Sequence, residues 1–157
     1  MKIGILADTH DNIDAIQGAI RFFNSQKVEY VIHAGDYVAP FSLKELTKLE
    51  AKFIGIFGNN DGDRKRLLAM CKNLHVPPHD ILLDGKRLVV THMIESLSNR
   101  SMENMDIVIS AHTHVPEIRH GHPMHLNPGE CCGWVNGRST VALLNLETLD
   151  AEIVYLS

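Results

Sequence analysis

Lys2-Ile3-Gly4-Ile5-Leu6-Ala7-Asp8-Thr9-His10-Asp11-Asn12-Ile13 is the stretch that decides the fold. Residues 2–7 are a short apolar run without helical period, the pattern of a strand buried on both faces. A polar loop follows, and from Ile13 the apolar residues recur at Ile16, Ile20 and Phe23, the spacing of an amphipathic helix. Either Asp11 or Asn12 is placed to cap that helix. The unit is therefore strand, polar loop, helix.

The same unit recurs twice. Residues 28–33 form a second apolar strand ending in Ala34-Gly35-Asp36, with Pro40 near a helix start and Leu43, Leu46 and Leu49 at helical spacing. Residues 53–57 form a third, ending in Gly58-Asn59-Asn60-Asp61-Gly62, before a helical stretch through Leu67, Leu68 and Cys71. Such repeats predict right-handed crossovers and a parallel sheet. Further along, the strands crowd together. Asp84-Gly85 between residues 81–83 and 87–90 is a hairpin signal, and residues 95–105 are weakly helical. Short strands are predicted at 107–110, 115–119, 124–126, 140–146 and 151–155. Early βαβ units followed by β-rich segments indicate an α/β protein of two packed sheets with helices outside.

Composition limits what such a fold can do. A chain of 157 residues suits a single domain over 1–157, and 45% hydrophobic with 22% charged residues excludes disorder and collagen-like repeats. A formal net charge of −4 argues against a stable nucleic-acid partner. No apolar run approaches the roughly 20 residues of a membrane-spanning helix, and no secretory signal precedes the first strand. The expected location is cytoplasmic. Cys71, Cys131 and Cys132 are spaced for neither a disulfide framework nor zinc and are read as reduced thiols.

The ten histidines are more telling. Ligands of doubly wound folds bind at the carboxyl ends of the strands. Those ends carry Asp8 and His10, Asp36, Asn59, His92, and His112 with His114. Taken singly, each motif reads as an ordinary turn or cap. Five strand ends that all present Asp, His or Asn are a donor set for divalent metal. Mixed nitrogen and oxygen donors suit Mn, Ni, Fe, Co or Zn better than an all-oxygen Mg or Ca cage. Manganese is the first expectation, with magnesium kept as an alternative.

In order and number, Asp8-x-His10, Gly35-Asp36, Gly58-Asn59-x-Asp61, His92 and Ala111-His112-x-His114 resemble the five blocks of the calcineurin-like metallophosphoesterases, in particular their small prokaryotic phosphodiesterase branch. The resemblance implies a four-layer α/β/β/α sandwich and two divalent metal ions. Asp8, His10 and His114 would hold one ion, Asn59, His92 and His112 the other, and Asp36 would bridge. It also implies a metal-bridging hydroxide as nucleophile, and a small phosphodiester or phosphate as the ligand. Asp36, Asn59 and Asn60 are the expected catalytic residues. Two divalent ions against Asp8, Asp36 and one hydroxide leave about one positive charge, which suits an anionic ester. The first helix, near residues 11–13, is placed to lend backbone N–H groups to the phosphate. The alternative is a catalytically weak or inactive protein-binding scaffold of the same fold, as in the retromer subunit; the seven filled ligand positions favour the enzyme. Self-association into a homo-oligomer stays open.

Departures from the family pattern sharpen the expectation. Asn60 stands where many members carry a His that assists the leaving group, so low activity and a preference for diesters are expected. Asp61 would have oriented that His, and helix capping is its expected role here. Met93 follows His92 where Gly is common, and Ala111 replaces a Gly. Glu130 stands where Ser is usual, either repelling phosphate or pointing to solvent. Of the other histidines, His33 is expected to pack behind the ligands. His120, His122 and His125 are expected in a solvated hairpin, and His75 and His79, beside Pro77-Pro78, in a loop. Cys131 and Cys132 beside Trp134 are expected in the core, with a small hydrophobic substrate or oligomer surface as the alternative.

Overall fold

The computed structural model describes residues 1–156; Ser157, the last residue of the expected domain, lies outside the described residues. Among the described residues, the parallel heart of the first sheet is β1 (Lys2–Leu6), β2 (Tyr30–His33), β3 (Lys52–Ile56) and β4 (Leu74–His75). Their crossovers are α1 (Ile13–Gln26), α2 (Pro40–Leu46) and α3 (Arg64–Met70). The second sheet opens with the hairpin of β5 (His79–Leu83) and β6 (Lys86–Val90) across Asp84-Gly85. It continues with β7 (Ile107–Ile109), β8 (Glu117–Arg119) and β9 (Met124–Asn127) in the order β5-β6-β7-β9-β8. Finally β10 (Thr140–Asn145) returns to the first sheet antiparallel to β1, and β11 (Ala151–Tyr155) closes its edge.

Hydrophobic burial explains the layers. Ile3, Ile5, Ile32 and Ile54 from the first sheet meet Leu88, Val90, Ile107, Ile109 and Leu126 from the second in one dry core between the sheets. On the outer face of the first sheet Leu6, Val31 and Val141 pack against Ile16, Phe23, Leu43 and Leu67 of the three helices. The fourth layer is thin. A 3₁₀ turn at Ile94–Ser96 and the four-residue α4 (Asn99–Met102) lay Ile94, Leu97 and Met102 over Val89, Met105 and Val108. The result is the α/β/β/α sandwich expected from the sequence.

Two local readings are corrected. His75 and His79 are strand residues rather than loop: β4 and β5 are the edges of different sheets, and across the Pro77-Pro78 crossover the two imidazoles stack with centroids 3.7 Å apart. β4, at two residues, is too short to leave a hydrophobic pattern. Asp61 does not cap α3, because that helix begins at Arg64 and Asp63 takes the Arg66 N–H.

Gly4, on the central strand, shows how closely the layers meet. A Cβ there would lie 2.5 Å from Cε1 of Phe23, a fully buried ring of α1 with no room to retreat. Gly4→Ala is expected to destabilise the protein by about 1–3 kcal/mol, as overpacked cores do, read as a lower urea midpoint at unchanged slope. An unchanged midpoint would contradict this packing.

Candidate metal centre

The carboxyl ends of β1, β2 and β3 in one sheet face those of β6, β7 and β9 in the other, and the loops leaving them carry the expected donors. Asp8, His10, Asp36, His112 and His114 all adopt positive φ, between 38° and 69°. Asp and His tolerate this left-handed region better than most residues, yet five instances in one loop cluster amount to stored backbone strain of the kind that gathers at functional sites.

The strain serves convergence. Asp8 Oδ1 lies 3.7 Å from His10 Nε2, 3.8 Å from His92 Nε2 and 3.7 Å from His114 Nε2. Asp36 Oδ2 lies 3.5 Å from His10 Nε2 and 3.4 Å from His92 Nε2. These gaps are too long for hydrogen bonds and suited to donors that share a cation. Asp8 Oδ1, His10 Nε2 and His92 Nε2 are buried without a hydrogen-bond partner in the protein, although buried polar atoms are otherwise nearly always paired. Three groups of ligand atoms lie close enough for an ion: Asp8, His10 and His114; Asp8, Asp36 and His92; and His114, Glu130 and Cys132. Asn59 and His112 sit at the exposed rim. The His112 ring stands edge-on to His92 at 5.2 Å, and its backbone N–H donates to Asp8 Oδ2. Asn59 shares with His92 a cleft of about 200 Å³ walled by Phe57, Pro77, Met93 and Arg64.

Outer contacts fix each donor. His92 Nδ1 donates to the Ala34 carbonyl at 2.8 Å and His114 Nδ1 to Glu130 Oε2 at 2.9 Å, which leaves both Nε2 lone pairs aimed inwards. Glu130 thus does not face solvent. It is buried, and it also accepts from the Val135 and Asn136 backbone N–H groups and the Cys132 thiol. Burial works to raise its carboxyl, but these donors outweigh it and hold the value at about 2. Asp61, also buried, accepts from the N–H groups of Asp36, Val38 and Gly58, tying the second strand's loop to the third's. Gly58 is obligatory at that junction, since a side chain there would strike the Asp36 carboxylate. Asn60 donates to both Asp36 oxygens, from its backbone at 2.9 Å and its amide at 2.7 Å. Burial alone would raise the Asp36 pKa; the adjoining His92 and the Asn60 donors win, and Asp36 stays anionic.

Other residues fall into place around this centre. Asn12 rather than Asp11 caps α1, accepting from Ala15 N, so that helix end is closed by its own side chain. Asp11 instead receives the Ala39 N–H and the Ser42 hydroxyl. Cys131 is buried in the helix-side core and all three cysteines are free. His120, His122 and His125 belong to the β8–β9 hairpin, away from the converging strand ends, with His125 bonded to Arg119.

Against this geometry, comparison with known proteins is decisive. The model of the calcineurin-like phosphoesterase superfamily domain matches residues 1–149. The chain belongs to that superfamily. It is similar to the phosphodiesterase MJ0936 of Methanocaldococcus jannaschii, 36% identical with 99% of each chain covered. It is also similar to a solved structure of an archaeal phosphodiesterase, with a TM-score of 0.91, 34% identity, and 99% and 100% of the two chains covered. The fold alone is shared with Vps29 of Entamoeba histolytica, at a TM-score of 0.71 and 16% identity over the whole of both chains. Membership implies divalent metal ions, and the orphaned donors of Asp8, His10 and His92 are what such ions require.

His33 supports the centre from behind. Fully buried, its Nδ1 accepts the Gly35 N–H, so Nε2 carries the proton and donates to Thr9 Oγ1, whose hydroxyl reaches the Asp36 carbonyl. Burial lowers its pKa from 6.5 to about 3. The unfolded chain then binds a proton that the folded one refuses, so this stability is complete above pH 6.5 and is lost as the pH falls toward 3. His10 and His92, whose values are raised, add no slope below pH 6.5. Between pH 6.5 and 4.5 the unfolding free energy of metal-free protein is expected to fall, and His33→Gln to flatten that fall by about 1.4 kcal/mol per pH unit. Parallel pH profiles from urea titrations would refute the assignment.

Proposed function

We propose that this protein is a metal-dependent phosphodiesterase working through a dinuclear centre. The observation that carries the reading is the trio of buried, unpaired donors on Asp8, His10 and His92. Support comes from the family and from relatives, matched over almost their whole length, that carry the name phosphodiesterase. Asp8, His10 and His114 would hold one ion, and His92 with the rim residues Asn59 and His112 would hold the other. Asp36, within 3.5 Å of donors from both sets, spans the pair. When bound, the ions would supply Lewis acidity toward the phosphoryl oxygens and would lower the pKa of the attacking water. Manganese suits the nitrogen and oxygen donors.

The protein's own groups then define the substrate. Asp8 and Asp36 are too few to cancel two divalent ions, so the centre remains attractive to a phosphate anion. Asn60 sits at the mouth and offers an amide N–H that steadies an oxygen, but it has no proton to give at neutral pH. The leaving group must therefore be a good one or draw its proton from water, and the single charge of a diester suits this site better than a monoester.

Metal-stripped protein is expected to leave bis-p-nitrophenyl phosphate intact, and added manganese to restore a rate above that for p-nitrophenyl phosphate. Asn60→His is expected to speed hydrolysis of a diester with an alkoxide leaving group by about 10-fold or more, with a smaller effect on the nitrophenyl ester. No turnover with Mn, Ni, Fe, Co, Zn or Mg would overturn the reading.

A further inference from the structure

Trp134 is the chain's only tryptophan, and it is 63% exposed at the rim of the centre, beside Val135 at 70%. Its placement is ordered. The indole centroid lies 6.4 Å from that of His10, tilted by 30°, and His10 in turn stacks on His114 at 5.2 Å and 23°. Three rings thus form one wall, from the innermost metal donors outwards to solvent.

The segment that carries the indole is tied to the centre at several points. The backbone N–H groups of Val135 and Asn136 donate to Glu130, the same carboxylate that orients His114. The Asn136 amide donates to the His114 carbonyl at 2.8 Å, the Asn12 amide to the Cys132 carbonyl at 2.8 Å, and Cys132 N to the Asp8 carbonyl at 3.0 Å. The turn is therefore pre-organised with the donors, so a group landing on Trp134 meets a surface whose ordering is already complete.

On the proposed phosphodiesterase reading, a phosphoryl group at the centre turns its ester substituents outwards, and one leaving on the His10 side passes the indole face. We infer that Trp134 is a stacking platform for a planar aromatic substituent of the substrate, so that the substrate class is a phosphodiester bearing an aryl or nucleobase ring rather than a purely aliphatic one. The indole binds such a ring by its π-face, without reading its edge. Glu130 is the positioning residue that holds platform and metal donor in register.

The test uses metal-loaded protein and two probes, inorganic phosphate and diphenyl phosphate, the latter a slow substrate because phenoxide is a poor leaving group, with binding read before turnover by titration calorimetry and by the emission of the single indole under Zn2+, which does not quench it. Diphenyl phosphate is expected to change the emission and phosphate to leave it nearly unchanged. Trp134→Ala is expected to weaken diphenyl phosphate about 10-fold or more and to leave phosphate within about 2-fold, while Trp134→Phe restores most of the loss. Equal diphenyl phosphate affinities in wild type and Trp134→Ala would overturn the inference. So would a variant whose only change is loss of a dimer in sedimentation, which would give the surface to self-association. Failure of wild type to bind inorganic phosphate at all would instead overturn the phosphoesterase reading, and this inference with it.

Discussion

Asp8 and Asp36 are two carboxylates buried side by side between the sheets' ends, close to three imidazole nitrogens that give them no hydrogen bond. Burying an anion with an oxygen left bare, as Asp8 is, is expensive, and a second buried anion beside it adds repulsion in a poorly polarisable interior even though Asn60 pairs the Asp36 oxygens. A proton on His10 or His92 would relieve the burden in part, which is why both are pushed above their ordinary value: His10 chiefly by its contact with Asp8, His92 by Asp36 against the burial that is the largest single effect on it. Divalent cations relieve it more completely. The surrounding architecture is comprehensible as the means of keeping these two anions where cations can reach them.

That architecture works by overlapping constraints. The parallel strands end at the same level, so short loops suffice to bring donors from both sheets to one point, and left-handed backbone at five donor positions turns the side chains inwards. Asp61 and Glu130 are a second pair of buried anions with the opposite policy, because each is saturated by backbone N–H groups. They stabilise loops, whereas Asp8 retains a bare oxygen. The contrast between a carboxylate satisfied by the chain and one left open separates the scaffold of this site from its working atoms.

Much of this was legible in the sequence because the determinants are local. The apolar runs ending in Asp8, Asp36 and Asn59 announce both the strands and the donors, and Asp84-Gly85 announces its hairpin. Where the sequence reading failed, the deciding contacts are long-range. Nothing near Glu130 reveals that its oxygens meet His114, Val135 and Asn136 across a turn. Asp61 and Asp63 are both acceptable caps on local grounds, and only the neighbouring loop of Asp36 and Val38 claims the first. Asp11 and Asn12 compete likewise, with the choice made by Ser42 in α2. The His75–His79 stack depends on a chain crossing between sheets, which no period records.

On the proposed function, the unpaired donors around Asp8 and Asp36 serve to hold two cations. Titration calorimetry of metal-free protein with Mn2+, alongside Asp8→Asn and Asp36→Asn, tests it most directly. Two ions are expected to bind per wild-type chain, with loss of at least one ion in each variant. Wild-type protein that binds no manganese, or variants that bind it as wild type does, would contradict it.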